Sequence, residues 1–328
     1  MRRFGVRTLT VAIFLCLGIN PSPSADPQPS YPTRPIRLLV GFTAGTAPDI
    51  GARILADKLA EALGKSVVVE NVLGASGNAA GERVARSEPD GYTLALAANS
   101  AIVINPSLFP QMSYDPVVEL TPITQVFSYA NILTVNKDVP VTNVQELVSL
   151  ARARPGKLTM GHAGAGTTLH LCAELFRQLG NIDIQLVPYR GGVNLLTDLL
   201  GGQITMYFST PPTILPLALE KRVNVLAVSS LQRIAAATDI PTMAESGFPG
   251  FDVTVWFGLM APAKTPAAII ERLNREALMI LKLPDVKKRF SDLGTDLIGN
   301  TPAEFAAAIA TEAPRWAKFI NQIGIRMD

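Results

Sequence analysis

Between residues 36 and 98 short apolar runs alternate with longer amphipathic stretches, an order that restricts this part of the chain to a sheet flanked by helices. Runs at 36–42, 67–70 and 92–98 read as strands, with helical patterns reaching residue 63 and spanning 79–86 between them. This βαβαβ order predicts a largely parallel sheet. The first helix is the best marked. Thr46 and Asp49 form a capping-box-like pair, Ile50, Ile54, Leu55, Leu59 and Leu63 share one face, and Gly64 stops it.

A second series follows a stretch that includes Pro106, Pro110, Pro116 and Pro122. Its strands are predicted at 132–135, 157–160, 184–189, 204–208 and 223–229, with helices at 144–152, 168–179, 193–200 and 214–220 between them. Helical patterns at 266–281, 284–293 and 302–320 have no strand series of their own, so this last stretch is expected to return and cover the first lobe. The prediction is an α/β fold of two lobes, each a mostly parallel sheet flanked by helices. Residues 31–127 and 253–328 would form lobe 1, residues 128–252 lobe 2, and the chain would cross between them twice.

The first 25 residues have the layout of an export signal: Arg2, Arg3 and Arg7, an apolar run from Leu9 to Gly18, then small residues at Ser22, Ser24 and Ala25. The run is about half of what a membrane-spanning helix requires. Bulky residues before Cys16 fit a lipid-attachment signal poorly, and Gly5 weakens a twin-arginine reading. Removing the segment takes 29 basic residues to 26 against 27 acidic ones, so no polyanion and no nucleic acid is implied as a partner. Roughly 300 residues remain, more than one hydrophobic core usually supports, which again favours two lobes. Only Cys172 survives cleavage, so no intramolecular disulfide can form and stability must come from packing.

The chemistry sits at strand-to-helix junctions rich in Gly, Ser and Thr. One runs from Phe42 through Thr43, Ala44, Gly45 and Thr46 to Asp49; the other spans Gly161, His162, Ala163, Gly164, Gly166, Thr167 and Thr168. Each leaves backbone N–H groups at a helix N-terminus, where the dipole favours an anion, and threonine hydroxyls add donors without charge. Ligands in open α/β sheets sit at the carboxyl ends of strands, which is where both junctions fall. Asn99 and Ser100, Tyr189 with Arg190 and Gly191, and Ser209 with Thr210 also follow predicted strands. One such site per lobe, facing across a cleft, would hold one small anion; the alternative is that the glycines only make tight turns.

Other chemistries lack their residues. The glycines at 161, 164 and 166 do not have dinucleotide-fingerprint spacing, and no phosphate-loop lysine, nucleophile elbow, Cys-x-x-Cys or His-Glu-x-x-His is present. His162 and His170 are the only histidines, so no metal, cofactor or catalytic residue is predicted. For His170 a structural hydrogen bond at the helix start stands beside ligand contact; for His162, ligand contact beside simple exposure. Cys172 shares the apolar face of its helix with Leu169, Phe176 and Leu179 and reads as core. Arg190 is a carboxylate counter-ion or a solvated charge, and Trp256 with Phe257 marks hinge packing or cleft lining.

The ordered blocks Tyr31-Pro-x-Arg-Pro-Ile-Arg37, Val67-Val-Val-Glu-Asn71, Gly74-Ala-x-Gly-Asn78, Pro89-Asp-Gly-Tyr-Thr93 and Ile104-Asn-Pro-Ser-Leu-Phe-Pro110 carry a further signal. With Tyr114-Asp-Pro116, Val187-Pro-Tyr-Arg-Gly-Gly192, Asp198-Leu-Leu-Gly-Gly202, Trp256-Phe-Gly258 and Ala261-Pro262, they make the chain resemble the Bug family over nearly all of its length after the leader. Bug proteins are the substrate-binding components of tripartite tricarboxylate transporters. The resemblance implies a type II periplasmic-binding-protein fold that closes on a small organic carboxylate, a monomer in the periplasm, and integral-membrane transporter components as partners. By position, the family's carboxylate loops correspond to 42–49 and 161–168. The first usually reads Phe-Pro-Pro-Gly-Gly-x-x-Asp, whereas Thr43, Ala44 and Thr46 replace the prolines and second glycine here. Ser209 stands where many members carry Asp, which disfavours an amino-acid ligand, and His162 replaces a small hydroxyl residue. A sensor-docking receptor, or a hydrolase on the same scaffold, is the rival reading.

Overall fold

The computed structural model describes Met1 and residues 31–326 apart from 163, 165, 190 and 191, so the expected export segment and the calls on Ala163, Arg190 and Gly191 lie outside the described residues. The first sheet contains β1 (Ile36–Val40), β2 (Val67–Asn71), β3 (Thr93–Ala98) and β4 (Leu120–Ala130). Helices α1 (Ala47–Leu63) and α2 (Asn78–Ala85) connect the first three strands, and the short helices α3 (Asn105–Leu108) and α4 (Pro116–Glu119) lead into β4. Burial drives this arrangement: β1 and β3 are almost continuously buried, as strands covered on both faces must be.

The chain then crosses at Asn131 and builds a second sheet from β5 (Ile132–Asn136), β6 (Thr159–His162), β7 (Gln185–Pro188), β8 (Met206–Ser209) and β9 (Val223–Val228). Helices α5 (Val144–Ala153), α6 (Thr168–Gly180), α7 (Gly192–Leu200) and α8 (Pro211–Leu219) alternate with these strands. It returns through β10 (Thr254–Pro262), which inserts in the middle of the first sheet, and finishes with α9 (Ala267–Leu281), α10 (Pro284–Asp292), β11 (Asp296–Leu297) and α11 (Pro302–Ile323).

The strand orders are β11-β4-β10-β3-β1-β2 and β7-β6-β8-β5-β9. Both sheets are mixed, which corrects the expectation of mostly parallel ones. Parallel pairing is confined to β2-β1-β3 and β7-β6-β8, while β10 runs antiparallel to β3 and β4, and β5 antiparallel to β8 and β9. The reason is topological. A strand that enters a lobe from its neighbour starts at the shared edge and runs away from it, opposite to strands whose carboxyl ends face that edge.

The two crossings are tied at one residue. Ser229 Oγ accepts the Asn131 N–H at 2.9 Å and donates to the Val253 carbonyl at 2.7 Å. Its main chain pairs with the same two residues, from Ser229 N–H to the Asn131 carbonyl at 2.8 Å and from Val253 N–H to the Ser229 carbonyl at 2.8 Å. All of this is buried, so breaking it would leave polar groups without water.

Two expected strand ends move, one by two residues and the other by one. The strand predicted from 157 is β6, which runs on to His162, and the strand predicted from 204 is β8, which takes in Ser209. Gly161 misled the reading: it lies inside the strand because a Cβ there would come within 2.8 Å of the Ile204 side chain. The capping box expected at α1 also fails to form, since the Thr46 side chain makes no cap bond to the helix. Cys172 is fully buried, as its place on the apolar helix face implied.

Gly258 in β10 lies directly under the buried Phe305 of α11, and a Cβ there would fall inside that ring. Gly258→Ala is expected to destabilise the protein by about 1–3 kcal/mol through overpacking. Urea denaturation checks this, and an unchanged midpoint would contradict the packing described.

Candidate functional site

The carboxyl ends of β1 and of β6 and β8 face each other across the line between the lobes, and the helices that follow begin there. A cavity of about 560 Å³ lies at that line. Lobe 1 contributes Phe42, Gly45, Thr46, Ala47, Pro48 and Ile50 from the start of α1, with Tyr129 from the outgoing strand β4 and Leu293 from the end of α10. Lobe 2 contributes Leu169 from the first turn of α6, and Thr210, Pro212 and Thr213 from the start of α8. Three helix N-termini, from both lobes, therefore border one space. In the first turn of α1 the N–H groups of Ala47 and Asp49 have no carbonyl a turn behind them within the helix. The positive ends of the helix dipoles add to this, making the rim attractive to an anion. Among the described residues that line the cavity none is charged.

The loops before α1 and α6 repeat one hydrogen-bond pattern. Thr46 Oγ1 donates to the Thr43 carbonyl at 2.6 Å, and Thr167 Oγ1 donates to the Gly164 carbonyl at 2.8 Å. The backbone N–H of each threonine points at the same carbonyl, at 3.4 Å in both loops. Each preceding glycine then gives its N–H to a side chain four residues on: Gly45 to Asp49 Oδ2 at 2.9 Å, Gly166 to His170 Nδ1 at 3.2 Å. Gly45 and Gly166 both have positive φ, at 82° and 76°, which places them where a side chain is disfavoured. The two loops are the same device in two lobes, one braced by a carboxylate and the other by an imidazole.

This arrangement revises the chemistry expected of the threonines. Each hydroxyl has one proton, and both protons are committed to main-chain carbonyls, so the hydroxyls shape the loops and offer lone pairs rather than donors. The donors that the helix starts offer to the cavity are main-chain N–H groups.

The braces are themselves held. Burial pushes the Asp49 carboxyl upward, but bonds from Arg53, the Gly45 N–H and Asn71 outweigh it and hold it at about 2. Arg53 Nη2 lies 2.9 Å from Asp49 Oδ1, and Asn71 Nδ2 lies 2.8 Å from the same oxygen. Asp49 is 2% exposed and does not line the cavity, so it is a brace for the loop and not the ligand contact its position suggested. His170 mirrors it: its Nε2 lies 3.7 Å from Glu174, which in turn is bonded to Arg177 at 2.6 Å. Of the two readings open for His170, the structural hydrogen bond is the one present.

The other expected residues divide. Phe42, Gly45, Thr46 and Thr210 line the cavity, and Thr43 and Ala44 are exposed on the same loop. None of the described residues of 161–168 lines it, though Thr167 caps α6 and Thr168 begins it, immediately before Leu169. His162 is the last residue of β6 and 4% exposed, stacked on His170 with ring centroids 4.3 Å apart, so exposure does not explain it. Burial, then the neighbouring His170, push its imidazole below the usual range. Ser209 is corrected as a contact: its hydroxyl is buried against Thr134 Oγ1 at 2.8 Å and the Ile132 carbonyl, because β8 extends to include it. Asn99 is buried and donates to the Thr254 carbonyl at 2.8 Å, tying β3 to the returning strand, and Ser100 donates to the Ser76 carbonyl. Tyr189 is half-buried and donates to Asp198 at 2.7 Å. Trp256 and Phe257 do not line the cavity and pack within lobe 1: the indole donates to Glu312 at 2.7 Å and Phe257 stacks on Phe127.

Tyr129, Leu169, Pro212, Thr213 and Leu293 line the cavity without having been foreseen. Leu169 and Pro212 were legible in principle as the residues beside predicted helix starts. Leu293 was not, since only the packing of the last helices brings it to the cleft, where its neighbour Gly294 meets lobe 2. A Cβ on Gly294 would come within 2.9 Å of Pro211, and the Ala235 N–H of lobe 2 reaches the Asp296 carboxylate.

The family described as tripartite tricarboxylate transporter family receptor matches residues 51–325. BugT of Bordetella pertussis is 34% identical over 319 residues, covering 97% of each chain. An R. palustris protein solved with adipate superposes with a TM-score of 0.81 at 34% identity, covering 90% of this chain and 99% of that one. MatC from Rhodopseudomonas palustris, solved with bound malate, gives 0.77 at 30% identity, covering 88% and 100%.

Asp49 lowers the pH at which the first loop loses its brace. Its carboxyl lies below its ordinary value of 3.8 in the folded protein, so its contribution is complete above about pH 4 and lost as pH falls towards 2. Asp49→Asn is expected to cost about 1–2 kcal/mol at pH 7 and to flatten the fall in stability across that window. Denaturation midpoints measured from pH 2 to 7 check this, and parallel profiles for the two proteins would contradict it.

Proposed function

The chain belongs to the tripartite tricarboxylate transporter receptor family, and on that premise we propose that it is an exported capture protein whose two lobes close on the carboxylate of a small organic acid. Residues 31–130 with 253–328 act as one jaw and 131–252 as the other, the first boundary lying past the expected 127 because β4 continues to Ala130. The observation that carries the reading is the meeting of three helix N-termini from both jaws at a cavity that no described residue lines with charge. Main-chain dipoles can neutralise a carboxylate there without a fixed cation, which keeps capture reversible. Solute capture for a membrane transporter is the role of this family, and the carboxylates held by its solved relatives support the same class of ligand here.

The protein works in the periplasm as a monomer, performs no chemistry on its ligand, and hands it to integral-membrane transporter components. Among the described residues no helix is long and apolar enough to cross a membrane. An N-terminal leader ending near Ala25 would supply the export route. Closure requires that the ligand bind the closed form more tightly than the open one, so contacts from the second lobe must add to those from the first.

Calorimetry at pH 7 on protein refolded to strip bound ligand tests this with pairs of organic acids and their amides. At least one acid is expected to bind with a micromolar or lower Kd while its amide does not. Absence of binding by every acid, or equal binding of acid and amide, would overturn the reading. Thr46→Val and Thr167→Val are each expected to weaken binding by about 1 kcal/mol, because each releases the carbonyl that fixes its loop. Unchanged affinity in both variants would remove these loops from the site.

A further inference from the structure

The rest of the cavity carries information about what the carboxylate is attached to. Away from the helix starts its walls are Phe42, Ile50, Tyr129 and Leu293 from lobe 1, and Leu169 and Pro212 from lobe 2. Phe42, Ile50, Tyr129, Leu169 and Leu293 are apolar or aromatic side chains left only partly buried by the fold, although each rests against one of the hydrophobic cores. Partly exposed apolar side chains gathered from two lobes around one space mark a surface that an apolar partner completes.

The polar side chains on the same walls are few and neutral: Thr46 has spent its proton on Thr43, the Thr210–Thr213 pair at 3.0 Å uses one of its two hydroxyl protons, Tyr129 adds one phenol, and Pro212 has no N–H. A second carboxylate would have to reach another of the three helix starts, and a hydroxylated body lying between them would lose its hydration against Phe42, Ile50 and Leu169. An aromatic or alicyclic body would instead be covered on several sides by Phe42, Tyr129, Ile50 and Leu169, and a cavity of about 560 Å³ has room for one ring bearing a carboxylate and small substituents.

We infer that the ligand is a monocarboxylate with a compact apolar body, of aromatic or alicyclic type, and not a hydroxylated di- or tricarboxylate. This rests on the capture of a carboxylate argued above and narrows it. The body is the part that both jaws touch, so it, and not the carboxylate alone, supplies the free energy of closing.

Calorimetry on the refolded full chain at pH 7 tests the inference with benzoate, cyclohexanecarboxylate, adipate, malate and citrate as probes. Benzoate or cyclohexanecarboxylate is expected to bind at least tenfold more tightly than malate and citrate, and more tightly than adipate. Ile50→Asn and Leu169→Asn, checked for unchanged thermal denaturation, are each expected to reduce that preference at least fivefold. If either variant fails to fold, Ile50→Val and Leu169→Ala serve in its place, with a smaller loss in the same direction. Tighter binding of malate, citrate or adipate would overturn the apolar body while leaving carboxylate capture standing. Binding of the ring acids with no change in any wall variant would also overturn it. Failure of all five probes to bind would count against the inference and the broader reading together, whereas an acid outside this set that binds while its amide does not would restore only the latter.

Discussion

The pairing of β4 with β10 is the constraint on which the rest of the molecule depends. These two strands carry the chain out of lobe 1 and back into it, and they lie antiparallel beside each other through the middle of the first sheet, from the Leu120–Pro262 pair to the Ala130–Thr254 pair. Their register fixes where both crossings occur, and Ser229 locks them there by bonding to Asn131 on one side and Val253 on the other. Because the strands that enter each lobe, β10 and β5, run against the βαβ strands, the carboxyl ends of β1, β6 and β8 all face the gap between the lobes. Helix starts follow strand ends, so the helix dipoles are aimed into that gap by topology before any side chain is considered.

The loops before α1 and α6 show how little chemistry is needed once the topology is set. A threonine returns its proton to a carbonyl three residues back, and a glycine in the left-handed region gives its N–H to a side chain one turn ahead. The loops differ in that side chain, and in that Thr167 also accepts the His170 N–H whereas Thr46 makes no cap bond. Asp49 with Arg53 and Asn71 forms a charged brace, whereas His170 with Glu174 and Arg177 forms a brace whose first member is an imidazole. Both braces are internal to their loops, and neither Asp49 nor His170 lines the cavity.

Several residues changed role between sequence and structure for one recurring reason, the exact end of a strand. His162 and Ser209 read as loop residues because Gly161 and the Ser-Thr pair look like breakers, yet both are terminal strand residues with buried side chains. Gly161 is a glycine for packing against Ile204 and Leu195, not for turning. Asp49 was correctly placed beside the site but its carboxylate is consumed by its own loop, as a buried charge must be when three donors surround it.

The sequence by itself determined the two α/β series, the return of the C-terminal helices to the first, the glycine- and threonine-bearing helix starts and the lack of residues for metal or nucleotide chemistry, because these are properties of local periodicity and composition. Phe42, Gly45, Thr46 and Thr210 were legible for the same reason: each stands at a strand-to-helix junction. Only the tertiary structure decided the mixed sheet order, the commitment of the threonine protons, and the wall formed by Tyr129, Leu169, Pro212 and Leu293. Those depend on which distant segments meet, and β10 reaches the centre of the first sheet only after the entire second lobe has been built. No local pattern records a meeting between residues separated by a lobe, so the helix starts that border the cavity could be read from the chain while the shape of the space behind them could not.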